Sequence, residues 1–255
     1  MTNIERRRYI TQKLRETGTL RVEQLAEELK VTTVTIRSDV ADLEKRGLAV
    51  RSRGVILAPE GDELPRNVSN TIKENLAEKE AVAKTARTLL EPGQTVILDG
   101  GSTNAVFARE LHDLQLTVIT NSVPVILELA HQPDIDIIVS GGILRKPSMS
   151  LVGEFSRHVY EHIRADIAFI GAASVSMEHG PSGPNLLEAE TKRSVIAAAN
   201  SVCLLVDSTK FGRTNLAHIC SWEQISFLVT DAIHDADRAA LTDVGVTVLT
   251  PGDRS

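Results

Sequence analysis

Apolar side chains near the start of the chain recur at helical spacing, break once, and resume. Val22, Leu25, Ala26 and Leu29 fall at i, i+3, i+4 and i+7, while Glu23, Glu27, Glu28 and Lys30 fill the other face. After Lys30-Val31-Thr32 the stripe returns as Ile36, Val40 and Leu43. Thr32 or Thr33 suits the cap of this second helix, and Gly47 supplies a stop. Upstream, Ile10 and Leu14 offer the apolar contacts of a third helix. Two short helices across a tight turn, backed by a third, predict a helix-turn-helix. Residues 48–57 then read as two short strands around Arg51-Ser52-Arg53-Gly54, so a winged helix is expected over residues 1–57.

A different pattern begins at residue 72. A helix over 72–90 would bury Leu76, Val82, Ala86, Leu89 and Leu90, and Glu91-Pro92-Gly93 ends it. Short apolar runs at 95–99, 116–120, 135–140, 167–171, 202–207, 227–231 and 246–249 then alternate with helical segments. Nearly continuous apolar strands belong to a buried, mostly parallel sheet covered by helices, so the second domain, residues 72–255, is expected to be α/β. Between the two, residues 58–71 are rich in Pro, Gly, Asn and acids and read as a linker.

Charge separates the same regions. Residues 1–57 carry 12 Lys+Arg against 8 Asp+Glu, and the remainder 16 against 26, within a net charge of −6. A basic end on an acidic chain points to nucleic acid as its partner. The two cysteines, Cys203 and Cys220, sit neither in a CxxC pair nor near clustered histidines and are expected to be reduced core residues. No apolar run approaches the ~18 residues of a membrane span, and a cytoplasmic protein without membrane contact is expected.

The second helix starts Thr32-Thr33-Val34-Thr35-Ile36-Arg37-Ser38, presenting hydroxyls and a guanidinium away from its apolar stripe. Thr32, Thr33, Thr35, Arg37 and Ser38 therefore become candidates for bases and phosphates of double-stranded DNA. Arg6, Arg7, Lys45, Arg51 and Arg53 complete a candidate phosphate footprint. In the α/β domain, chemistry is sought at the carboxyl ends of strands. There Asp99-Gly100-Gly101-Ser102-Thr103-Asn104 precedes a helix, a loop whose amides and hydroxyls suit a phosphate. Asn121, Gly142 and Lys210 follow other strands, Lys210 being a cation suited to a phosphate or a sugar oxygen. Glu188, Glu190, Lys192 and Arg193 open a helix and either line the same cleft or decorate its rim. His158-Val159-Tyr160-Glu161-His162 has HxxEH spacing, but Phe155, Val159 and Ile163 at i, i+4 and i+8 explain the segment as a packed helix, so no metal is expected.

The stretch VEQLAEELKVTTVTIRSDVADLEKRG, followed by the wing and then by DGGST, TNS, GG, LVG and DSTKFG in order, resembles the DeoR family of bacterial transcriptional regulators over essentially the whole chain. The resemblance implies a winged helix-turn-helix joined to a sugar-phosphate-sensing, oligomerising domain with a ribose-5-phosphate isomerase-like fold. It also implies a repressor of a carbohydrate-catabolism operon, relieved by a phosphorylated sugar. Effector contacts carried over by matched motif are Asp99, Gly101, Ser102, Thr103, Asn121, Gly142 and Lys210, with Glu190 the weaker match, and Asn104 lies in the same loop. The chain departs from the family's usual pattern at Ser38, where a second arginine is common, and at Gly54-Val55-Ile56 in the wing. The alternative is a sugar-phosphate isomerase with a DNA-binding tether. Isomerisation needs a positioned acid and base, and this strand edge is mostly small and neutral, so no catalysis and no cofactor are expected. One winged helix reads few base pairs, so a homo-oligomer, at least a dimer, is expected on paired half-sites.

Overall fold

The computed structural model describes residues 2–17, 19–45, 49–52, 54–57 and 67–253, and the chain divides into two compact units, Met1–Pro65 and Arg66–Ser255. In the first unit the order is α1 (Asn3–Thr17), β1 (Thr19–Arg21), α2 (Val22–Glu28), α3 (Thr33–Lys45), β2 (Val50–Ser52) and β3 (Val55–Leu57). The helical stripes meet as their spacing requires. Ile10, Leu14, Leu25, Ile36, Val40 and Leu43 are each at most 2% exposed and form one core with Val22, Ala26 and Ile56.

The turn after α2 is a helix C-cap. Lys30 takes a left-handed φ of 52°, its amide donates to the Glu27 carbonyl at 3.2 Å, and the Val31 amide donates to the Ala26 carbonyl at 3.0 Å. This is the Schellman pattern, with Val31 packed on the core as its usual hydrophobic contact. Thr32 caps α3, its Oγ1 accepting from the Thr35 amide at 3.2 Å. The wing has one strand more than its sequence suggests. β1 pairs antiparallel with β3, giving the order β1-β3-β2, because Thr19-Leu20-Arg21 is too short to show alternation by itself.

The second unit begins with α4 (Val68–Thr71) and α5 (Leu76–Arg87). The expected helix over 72–90 is therefore shorter, since Asn75 at φ 49° breaks it from the preceding turn. Residues 67–71, expected as linker, are instead ordered within this unit. Val68 is 4% exposed and its amide donates to the Pro147 carbonyl at 2.8 Å. There follow β4 (Thr95–Leu98), α6 (Ser102–Phe107), β5 (Leu116–Thr120), α7 (Val123–Leu129), β6 (Ile135–Val139), β7 (Ile143–Arg145), β8 (Ser150–Val152) and α8 (Glu154–Glu161). The chain continues through β9 (Ala165–Gly171), β10 (Ser174–Ser176), β11 (Gly180–Gly183), α9 (Leu186–Ala197), β12 (Ala199–Leu205), β13 (Ala217–His218), β14 (Phe227–Val229), α10 (Asp235–Asp243) and β15 (Thr247–Leu249).

All seven expected apolar runs enter one sheet of order β15-β14-β12-β9-β4-β5-β6, and every neighbouring pair is parallel. Strand residues alternate between two cores, which is why the runs are continuously apolar. Val96, Leu98, Val118 and Phe169 pack with α5, α6 and α7, whereas Ile97, Ile119, Ala168 and Ile170 pack with α8, α9 and α10. Two small antiparallel additions, β7-β8 and β10-β11-β13, lie outside this sheet. Among the described residues no helix is long and apolar enough to cross a membrane.

Candidate functional site

The exposed face of α3 carries Arg37 and Ser38, both exposed, beside Thr33 and Thr35, which are half-buried. Among the described residues every other helix of eight or more residues has an acid in its first turn (Glu5, Glu78, Glu154, Glu188, Asp235), and α3 has none. Its amino end thus keeps the positive end of the helix dipole free for an anion. The remaining arginines behave differently from their sequence expectation. Arg6 binds Asp39 at 2.5 Å, and Arg7 binds Asp39 at 2.8 Å and Asp42 at 2.5 Å. Asp39 is 2% exposed, so Arg6 and Arg7 neutralise a buried carboxylate of α3 and tie α1 to it. Arg51 is likewise held, at 2.8 Å from Glu44. Arg53, Arg46 and the side chain of Lys45 lie outside the described residues.

In the second unit the strand ends β4, β5, β9 and β12 build a polar edge. Asp99, just past β4, is 1% exposed and forms an ion pair with Lys192 of α9, whose Nζ also donates to the Gly100 carbonyl at 3.3 Å. Burial raises the Asp99 carboxyl above its ordinary range, and the Lys192 ammonium pulls it partly back. Asn121 holds the same loop from β5. Its Oδ1 accepts from the Gly100 amide at 3.0 Å and its Nδ2 donates to the Leu151 carbonyl at 3.2 Å. Gly142 has φ 115°, and a Cβ there would stand 2.7 Å from the Val152 carbonyl, so its glycine is required by the β7-β8 contact. Asn121 and Gly142 thus shape the edge.

Ser102 and Thr103 open α6 after Gly101, whose φ of 144° is open to glycine. Neither hydroxyl has a hydrogen-bond partner among the described residues. Asn104 is fully buried, donates to the Phe169 carbonyl at 3.2 Å, and leaves its Oδ1 without a donor. Lys210 follows β12, two strands from β4 in the sheet order, hence about 10 Å away at normal strand spacing. It stands 3.9 Å from Asp207, whose Oδ2 is buried and also lacks a donor. Asn75 reaches Asp207 at 3.4 Å and Thr209 at 3.2 Å. Close by, Lys79 is 2% exposed and donates to the Thr71 and Glu74 carbonyls; burial lowers its pKa, against the pull of Asp207.

Glu190 does not join this edge. It lines a separate cleft of about 550 Å³ with Arg157, Arg164 and Arg193. Helical rotation puts Glu188 and Lys192, four apart, on the inward face instead, and Glu188 binds Arg145 at 2.6 Å. Of the four residues expected either to line the cleft or to decorate its rim, Glu188 and Lys192 join the edge, and Arg145 is the residue the sequence reading did not name. For Lys192 the signal was present, since Val195 faces inward and lies one turn from it. The edge is therefore a network of acid–base pairs, Asp99 with Lys192 and Glu188 with Arg145, with Lys210 leaning on Asp207. His158, Glu161 and His162 bring ligating atoms within 4.8 Å of one another on the exposed face of α8, and no further His, Cys, Asp or Glu joins them among the described residues. The helix packs through Ser156 and Tyr160 and not through the expected Phe155, which is 79% exposed.

A winged helix with an exposed polar face on its second helix, joined to an α/β domain whose main sheet is all-parallel and has a polar carboxyl edge, defines a ligand-sensing DNA-binding regulator. Residues 6–60 match the DeoR-like helix-turn-helix domain and residues 74–232 the DeoR C-terminal sensor domain. The chain belongs to the DeoR family of transcription regulators. It is 36% identical over 250 residues to the HTH-type transcriptional regulator GolR of Listeria innocua serovar 6a, covering 97% of this chain and 98% of that one. It is 33% identical over 255 residues to the putative aga operon transcriptional repressor of Escherichia coli O157:H7, covering 98% and 94%. Among solved structures, ribose 5-phosphate isomerase A of Methanocaldococcus jannaschii overlaps 54% of this chain and 55% of its own, with 24% identity and a TM-score of 0.38.

Proposed function

We propose that this protein represses a carbohydrate-catabolism operon and that a phosphorylated sugar, bound at the carboxyl edge of the sensor sheet, releases it from its operator. The observation that carries the reading is the unused hydrogen-bonding capacity of that edge. Among the described residues Ser102 and Thr103 present two hydroxyls without partners beside the Lys192-bound loop, and Asn104 Oδ1 and Asp207 Oδ2 are buried acceptors without donors. A ligand with a phosphate at one end and hydroxyls along its length satisfies both kinds at once. The phosphate accepts from Ser102, Thr103, loop amides and a cation, and sugar hydroxyls donate to the two orphaned oxygens. Free sugar lacks the first part of that match. The relatives support the operon class, for their names include an aga operon repressor and the lactose phosphotransferase system repressor of Streptococcus mutans.

The DNA contacts we assign are Arg37, Ser38, Thr33 and Thr35 of α3, with Thr32 as its cap; the effector contacts are Ser102, Thr103, Asn104, Lys192 and Lys210. Asp99, Gly101, Asn121 and Gly142 hold the loops in place. Repression on paired half-sites calls for at least a dimer, which sedimentation of the purified protein will count. An enzyme reading finds less support, since the relatives are named as transcriptional regulators and repressors. Calorimetry with a panel of sugar phosphates and free sugars, alongside fluorescence anisotropy on operator DNA, tests the proposal. One phosphate ester is expected to bind and release DNA, its parent sugar to do neither, and Ser102→Ala or Lys210→Ala to leave repression intact without release. Equal affinity for free sugar, or steady turnover of a pentose or hexose phosphate, would refute it.

A further inference from the structure

α3 carries one apolar side chain that its fold does not use. Val34 is 72% exposed, while Ile36, Val40 and Leu43 of the same helix are each at most 2% exposed. Isolated apolar residues are ordinary on protein surfaces. What sets Val34 apart is its place. At about 100° per residue, Val34, Arg37, Ser38 and Ala41 share one face of α3, opposite the core stripe. Arg37 and Ser38 on that face are exposed too. Val34 is also the second residue of the helix, in the turn a recognition helix presents to base edges. Nothing local favours valine there. A β-branched residue is a weak helix former, and an acid would stabilise the positive helix end. In the major groove of B-DNA one apolar group is available to such a side chain, the 5-methyl of thymine.

We infer that Val34 reads a thymine 5-methyl group in each operator half-site, adding an apolar contact to the polar readout by Arg37 and Ser38. The inference rests on α3 being the DNA-reading helix, and its test separates the two. Full-length protein first selects duplexes from a randomised library, and the selected duplex is then remade with each thymine replaced singly by deoxyuridine, which removes only the methyl group. The wild-type protein is expected to lose about fourfold in affinity at one thymine per half-site, the effect of one buried methyl-sized group. Val34→Ala is expected to bind more weakly to the parent duplex and to be indifferent to uracil at that same position. Because Val34 is exposed, this variant folds as the parent does, and unchanged thermal melting verifies it. If no uracil substitution weakens the wild type, or if Val34→Ala keeps the same uracil sensitivity, Val34 is not a methyl reader, although α3 remains the reading helix so long as Arg37→Ala loses the operator. If Arg37→Ala binds as tightly as wild type, the assignment of α3 falls and the inference with it.

Discussion

Replacing Lys192 by methionine isolates the energetics of the buried pair at the sensor edge. The apolar stem is kept and the charge is removed, leaving Asp99, 1% exposed, with the Gly100 backbone but no cation in contact. A carboxylate so placed takes up a proton rather than remain charged. Holding an ordinary carboxyl, pKa about 3.9, neutral at pH 7 costs about 4 kcal/mol, which sets the ceiling for the loss. The sign with pH follows from linkage. The folded-state pKa of Asp99 in the variant lies above its unfolded value, so the folded protein holds a proton that the unfolded chain has released. Because burial already raises Asp99 in the wild type, the deficit relative to it is absent below the wild-type folded pKa and grows by about 1.4 kcal/mol per pH unit above it, until the variant's folded pKa is passed. At pH 5 it should reach about 1.5 kcal/mol at most. Urea unfolding followed by Trp222, the single tryptophan, reports on this unit, since Trp222 is 6% exposed within its core. Adding Asp99→Asn to Lys192→Met removes both charges and should recover most of the loss at pH 7. A deficit under about 1 kcal/mol at pH 7, or an equal deficit at pH 5 and 7, would show that the pair is not a buried charge pair at all.

Salt dependence distinguishes the arginines of the first unit. Arg37→Ala should weaken operator binding and make the log–log salt slope shallower by about 0.9, whereas Arg6→Ala, whose guanidinium is held by Asp39, should lower the melting temperature and leave the slope nearly unchanged. Lys30→Gly should stabilise the helix-turn-helix by about 1 kcal/mol in thermal unfolding, because φ 52° strains a side chain there; Lys30→Ala should give no such gain. Cys203 and Cys220 are fully buried, burial raising the first thiol and pushing the second up to about 12, so neither should react with a disulfide dye at pH 8 until urea exposes both.

Much of the architecture was legible along the chain. Periodicity is a local property, and the two helical stripes, the wing and seven apolar runs needed only neighbouring residues to be recognised. Where an element depended on distant partners the pattern was silent. β1 is three residues held by pairing with β3 and by Leu20 in the core, and the Val68 amide of α4 donates to the Pro147 carbonyl, far along the sequence. The loop Asp99–Asn104 and the Asp207–Lys210 turn were visible as small polar residues at strand ends, for the same reason that parallel sheets place loops there.

Determined by sequence alone were the class of each unit, the position of the recognition helix and the strand ends that make the edge, since these follow from spacing and turn chemistry. Only the tertiary structure decided which charges are free. Arg6 and Arg7 lie 33 and 32 residues from Asp39, and Lys192 lies 93 residues from Asp99, separations over which composition carries no record of pairing. Two of the expected phosphate-binding arginines became braces of the fold, Glu190 turned outward, and Lys192 turned in. The physical reason is that a charge's availability depends on what the fold brings within a few ångströms of it and on how much water that contact excludes.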